Sequence, residues 1–135
     1  LDGATAGPVW LSDPRVAERV GEAIRRHDGR LYDLIAYCLM PNHAHLIFIP
    51  QPRPDGRYYA LARIMQRLKG STAYQANQLL GRRGSFWQHE SYDHTIRNGR
   101  ELERIVAYVL QNPVKAGLAA AWDEWPWTYW KDAHL

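Results

Sequence analysis

Cysteine is nearly absent from these 135 residues: Cys38 stands alone, so no internal disulfide can form, and the chain fits a reducing compartment. No apolar run approaches the ~18–20 residues that a membrane span requires, and no charged-then-apolar leader opens the chain. The expectation is therefore a cytoplasmic protein with no membrane partner. A strong excess of one charge is also lacking. The 17 Lys and Arg face 14 Asp and Glu, for a net charge of +3 and a pI near 9.2, a balance that permits a polyanionic partner without requiring one. Repeats, low-complexity stretches and internal boundaries are missing too, so residues 1–135 read as one domain. Aromatic residues, by contrast, are plentiful. The 6 Trp and 8 Tyr within a 46% apolar chain argue against disorder. A chain of this length buries about two-thirds of the surface it exposes when unfolded, so a real core is expected.

Along the chain, Asp13-Pro14 reads as a helix start, with Asp as cap and Pro at the first helical position. Val16, Val20, Ala23, Ile24 and His27 then share one helical face, which ends near Asp28-Gly29. Residues 30–40 and 43–49 read as a β-hairpin turning at Pro41-Asn42, and 51–56 as a surface loop. A second helix is expected over 58–80 with Gly81 as its stop, and a strand with irregular edges over 86–97. A third helix is expected over 100–111, limited by Asn112-Pro113 because a residue before proline disfavours the helical region. The segment from about 119 to 135, with Trp122, Trp125, Trp127 and Trp130, reads as an aromatic cap on the core.

Two features carry chemistry. Alternate residues of a strand point the same way, so His43 and His45 emerge side by side, ~6.5–7 Å apart along the strand, as a candidate metal pair. Ala44, Leu46 and Phe48 form the other, apolar face, and with Ile47 and Ile49 the strand reads as buried on both sides. On the third helix, Leu102, Ile105, Val106 and Val109 face the core while Tyr108 and Asn112, four residues apart, share an edge of that stripe. A phenol and a carboxamide on the border between core and solvent fit a catalytic site. A core-edge tyrosine beside a helix-capping asparagine is the commoner meaning of such a pair, which by itself proves nothing.

Taken in order, Pro41-Asn42-His43-Ala44-His45-Leu46, Leu68-Lys69-Gly70, Trp87-Gln88, Asp93-His94-Thr95-Ile96-Arg97, the run from Tyr108 to Leu118, and Trp125-Pro126-Trp127 resemble the successive signatures of the REP-associated tyrosine transposases. These are single-tyrosine members of the HUH group (His, hydrophobic, His), related to IS200-like transposases. The resemblance covers roughly residues 11 to 130. It implies a ferredoxin-like (RRM-like) α+β domain, an antiparallel sheet backed by helices, that nicks and rejoins single-stranded DNA at hairpin-forming repeats. Carried over by position, His43 and His45 become metal ligands, Tyr108 the nucleophile and Asn112 a third ligand. Imidazole and amide donors suit Mg²⁺ or Mn²⁺. A phenol, with a pKa of about 10, is a weak nucleophile at neutral pH, and a cation beside the scissile phosphate offsets this. Attack would leave a 5′-phosphotyrosyl enzyme and a free 3′-OH.

Arg63, Arg67, Lys69, Arg82, Arg83 and Arg97 are candidate contacts to DNA phosphates, and exposed rings among Trp87, Tyr92 and the tail tryptophans would stack on bases. Family members usually open with an aromatic, β-branched strand. Leu1-Asp2-Gly3-Ala4-Thr5 offers none, so that strand is either absent, outside this sequence or replaced by a segment of another pattern, and a sheet short of an edge would leave the protein either monomer or homodimer. Two other readings compete with the nuclease. One is a non-catalytic, domesticated repeat-hairpin DNA-binding protein, and the other a zinc hydrolase using His43, His45 and His89 or His94.

Overall fold

The structure is a computed structural model that describes residues 9–87 and 98–134. Asp13 caps the first helix, α1 (Pro14–Arg26): its carboxylate accepts the Arg15 amide N–H at 2.9 Å, and Pro14 takes the position where a missing N–H is harmless. The hairpin follows as β1 (Tyr32–Met40) and β2 (His43–Pro50), antiparallel, with Met40 opposite His43 across the two-residue Pro41-Asn42 turn. Next come α2 (Leu61–Leu80), α3 (Gly99–Lys115) and β3 (Thr128–Trp130). Among the described residues the sheet is three-stranded and antiparallel in the order β2-β1-β3. Helices cover both faces, an α+β arrangement.

The register shifts between Leu34 and Ala36, so Ile35 and Ala36 fall on the same face of β1 despite being adjacent. On one side of the sheet, Tyr32, Leu34, Tyr37 and Leu39 pack with Val16, Val20 and Ile24 of α1 and with Ile64, Leu68 and Ala76 of α2. On the other side, Ala36, Cys38, Met40 and Ile47 pack with Val106, Val109 and Leu110 of α3. The expected burial of β2 on both faces is only partial: His45 and Ile47 are buried on one face, Ala44, Leu46 and Phe48 are half-buried against the α1 and α2 core on the other, and Ile49 is exposed.

Two expectations are corrected. The third helix does not stop before Pro113 but runs through it to Lys115. Pro113 sits in the last turn, where its ring is fully buried. The helix then closes by a Schellman motif: Leu118 N–H donates to the Pro113 carbonyl at 2.8 Å and Gly117 N–H to that of Val114 at 3.0 Å, with Gly117 at φ 75°. The tail is more than a cap. Thr128–Trp130 adds a strand to β1, the Trp125 indole N–H donates to the Leu39 carbonyl at 2.9 Å, and Lys131 bridges Asp28 and Asp33. Residues 88–97, which carry most of the strand expected over 86–97, and residues 1–8, the place of an opening strand in the family, lie outside the described residues; Phe86 and Trp87 are irregular. Among the described residues no helix is long and apolar enough to cross a membrane.

Candidate active site

The site lies on the α3 side of the sheet, where β2 presents its histidine face. His43 and His45 point the same way, and their Nε2 atoms converge to 3.0 Å with the rings edge to face. His45 is only 5% exposed and stands opposite Cys38 in the register. Burial, and secondarily the neighbouring His43, holds the His45 imidazole down at about 4; burial likewise lowers His43. Both rings are therefore neutral at pH 7, the protonation state in which imidazole binds a metal. Asn42, the last residue of the hairpin turn, places Oδ1 2.8 Å from His43 Nδ1. That contact makes Nδ1 the protonated nitrogen and leaves the Nε2 lone pair facing His45.

These donors fit a divalent cation. Each imidazole would offer its Nε2 to the ion, and the two atoms converge to 3.0 Å.

Tyr108 reaches the pair from α3. Its ring lies edge-on to His45 with centroids 6.1 Å apart, and at 45% exposure it remains open to a ligand from solvent. The phenol is brought here because Val106, Val109 and Leu110 anchor the helix to Ala36, Cys38, Met40 and Ile47, leaving Tyr108 at the rim of the packed stripe. Asn112 stands one turn further on and donates from Nδ2 to the Tyr108 carbonyl at 3.1 Å. It shares the expected edge with Tyr108 but makes no hydrogen bond to either imidazole. Sequence reasoning missed Lys115, whose ammonium sits 5.3 Å from the centre of the Tyr108 ring. The i, i+7 spacing along one helix was the signal for it. It also missed the role of Asn42, visible only as the turn residue next to His43.

The basic candidates belong to the other layer. Arg63 and Arg67 are exposed on α2, which packs with α1 on the face of the sheet opposite the histidines; Lys69 is half-buried on the same helix. Arg82 is already engaged, stacked over Trp10 at 3.9 Å and donating to Asn77 Oδ1 at 2.6 Å, whereas Arg83 is exposed. The Trp87 indole N–H donates to Thr72 Oγ1 at 2.7 Å, so this ring is part of the core. Arg97, Tyr92, His89 and His94 lie outside the described residues. Among the described residues no third His, Cys, Asp or Glu joins the histidine pair.

Comparison with known proteins identifies the family. A REP-associated tyrosine transposase of Escherichia coli K12 is 27% identical over 99 residues, covering 73% of this chain and 54% of that protein. A putative REP-associated tyrosine transposase of Haemophilus influenzae is 27% identical over 103 residues, covering 72% of this chain and 58% of its own. The chain thus spans little more than half the length of these two relatives. A solved structure of a REP-associated tyrosine transposase bound to a REP hairpin superposes with a TM-score of 0.64 at 23% identity, covering 90% of this chain and 67% of that one. It has the same α+β fold. The profile of the family described as "Transposase IS200 like" matches residues 10–112, a stretch that contains His43, His45, Tyr108 and Asn112, and the chain belongs to that family.

Proposed function

We propose that the protein is a metal-dependent nuclease and strand transferase that nicks single-stranded DNA beside hairpin-forming repeats, with Tyr108 as nucleophile. The observation that carries this reading is the approach of a solvent-accessible phenol to within 6.1 Å, ring to ring, of the buried His45 imidazole, whose Nε2 meets that of half-buried His43. Family membership and the hairpin-bound relative support DNA as the partner.

In the proposed reaction the Tyr108 oxygen attacks the scissile phosphorus, the P–Oη bond forms and the P–O3′ bond breaks. The phenolic proton leaves to solvent and the departing 3′-oxygen takes one up. The product is a 5′-phosphotyrosyl protein and a free 3′-OH, and attack by a 3′-OH on the same linkage reverses the step. No nucleotide cofactor is required, because the phosphodiester is exchanged rather than hydrolysed. His43 and His45, with Asn112 as a third donor, would hold Mg²⁺ or Mn²⁺, which supplies charge neutralisation at the non-bridging oxygens of the phosphate. Asn42 keeps His43 in the tautomer whose Nε2 is free. Lys115 adds a fixed cation against the tyrosine ring, near the place a phosphate must occupy.

The test is covalent capture. Wild-type protein incubated with end-labelled single-stranded DNA carrying a hairpin, in Mg²⁺ or Mn²⁺, should give a protein–DNA adduct that survives denaturing electrophoresis, and Tyr108→Phe should give none. An undiminished adduct with Tyr108→Phe would refute the nucleophile. Tight hairpin binding without any adduct from the wild type would favour a non-catalytic binder.

A further inference from the structure

The turn of α3 that continues past Asn112 carries a charge, Lys115, at its last position. Seven residues at 100° each bring Lys115 to within about 20° of Tyr108 around the helix axis, ~10 Å further along it. Helical side chains lean toward the N-terminus, so a lysine at this position reaches back toward the tyrosine. Its ammonium accordingly sits 5.3 Å from the centre of the Tyr108 ring. A helix ending before Pro113 would not have set this lysine on the tyrosine's face. The extra turn is held by the fully buried Pro113 ring, by the Ala116 N–H donating to the Asn112 carbonyl at 3.0 Å and by the Leu118 N–H donating to that of Pro113 at 2.8 Å. Lys115 and Tyr108 are both exposed, and among the described residues no carboxylate pairs with the lysine. The cation beside the phenol is therefore free to meet an anion from solvent.

Resting on the nuclease reading, we infer that Lys115 is a second catalytic residue, whose ammonium pairs with a non-bridging oxygen of the phosphate that Tyr108 attacks. A phosphodiester carries one negative charge. Once the Tyr108 oxygen has given its proton to solvent and is bonding to phosphorus while the P–O3′ bond breaks, the reacting group carries two. A cation at this place is thus worth more in the transition state than in the bound substrate, so it acts on the rate rather than on affinity. Lys115 stays an ammonium throughout, and the 3′-oxygen takes its proton from solvent. Its flexible four-carbon stem lets the charge follow the phosphate onto the tyrosine. Rejoining passes through the same charged arrangement and depends on Lys115 equally. The contact reads charge and no base, so it is indifferent to sequence. Packing of the lysine on the ring face alone would leave the chemistry untouched when the charge is removed and the stem kept.

The experiment compares Lys115→Met, which keeps the apolar stem and the helix propensity but drops the charge, with Lys115→Arg, which keeps the charge. Adduct formation is timed in Mn²⁺ with protein saturating over end-labelled hairpin DNA, and hairpin affinity is measured separately in EDTA. Lys115→Met should slow the adduct by about 10–100-fold, less than a buried donor would because Lys115 is exposed, with little change in hairpin affinity or melting temperature. Lys115→Arg should recover most of the rate. The same pair is then timed on DNA carrying an uncharged methylphosphonate at the linkage the wild type cuts, where wild type and Lys115→Met should be equally slow. A Lys115→Met rate equal to wild type on the ordinary linkage overturns the contact, and so does the same fold loss on both linkages. A loss that follows hairpin affinity or melting temperature instead of the saturated rate overturns it as well. A wild-type adduct that Lys115→Met forms at full speed removes only Lys115. An adduct that forms in Tyr108→Phe removes the nucleophile, and absence of any adduct from the wild type removes both readings.

Discussion

Gly21 lies in the middle of α1, where glycine ordinarily costs a helix about 1 kcal/mol relative to alanine. Gly21→Ala should therefore stabilise the protein if only the helix mattered. The structure reverses that expectation. A Cβ at residue 21 would meet the Tyr37 hydroxyl at 2.9 Å and the Arg25 guanidinium at 3.3 Å, with Tyr37 Cζ at 3.6 Å. Arg25 can swing away, being on the exposed side of the helix. Tyr37 cannot, because its ring is buried in β1, stacks on Tyr129 at 5.4 Å and is hydrogen-bonded through its hydroxyl to Arg25. Forcing an extra methyl into such a site costs about 1–3 kcal/mol, so the net effect of Gly21→Ala should be a loss of roughly 0–2 kcal/mol. Removing the obstructing oxygen restores the helix effect: in a Tyr37→Phe background the nearest ring atom stands at ordinary contact distance, and Gly21→Ala should stabilise by about 1 kcal/mol. The coupling energy across the four proteins, read from urea midpoints at constant m, is then about 1–3 kcal/mol. Gly21→Ala that stabilises the otherwise wild-type chain by the full helix increment would refute the close packing of α1 on β1.

Other consequences are separately measurable. Asn42→Ala removes the acceptor that orients His43, and should weaken Mn²⁺ binding, followed by titration calorimetry, by about 10–100-fold with little change in melting temperature; unchanged affinity would mean that the turn does not set the tautomer. Burial pushes the Cys38 thiol up to about 11, and moves Tyr32 and Tyr37 in the same direction. Groups whose folded values are raised stabilise the fold fully below their unfolded values and lose that contribution as pH rises through the folded ones. Stability should accordingly be flat near neutrality and fall between about pH 9 and 11, by roughly 2–3 kcal/mol from Cys38 alone. At pH 8, iodoacetamide should label Cys38 only as fast as the protein opens; rapid labelling of the folded protein would contradict its burial.

How much of this was legible in advance follows from the range over which each feature is decided. The two-residue repeat of a strand placed His43 and His45 on one face, and the helical repeat placed Tyr108 and Asn112 on one edge, because both are consequences of local backbone geometry. The helix start at Asp13-Pro14 and the hairpin at Pro41-Asn42 were equally local. Where the reading went astray, long-range packing had the deciding vote. Pro113 reads locally as a barrier, yet in the last turn of α3 its missing N–H matters little and its ring fills the core. Thr128–Trp130 is too short to announce a strand and exists because β1 offers it an edge.

The sequence by itself therefore determined the histidine pair on one strand face and the tyrosine on the edge of the third helix, and its resemblance to a known family carried the α+β class. The tertiary structure decided that Tyr108 meets His45 at all, that the two Nε2 atoms close to 3.0 Å, and that Asn42 and Lys115 stand against His43 and Tyr108. It also placed the basic helix α2 in the opposite layer, beside α1. The physical reason is common to all of these. Periodicity assigns a side chain to a face, but which faces meet, and at what distance, is set by how two layers of helices pack on one sheet.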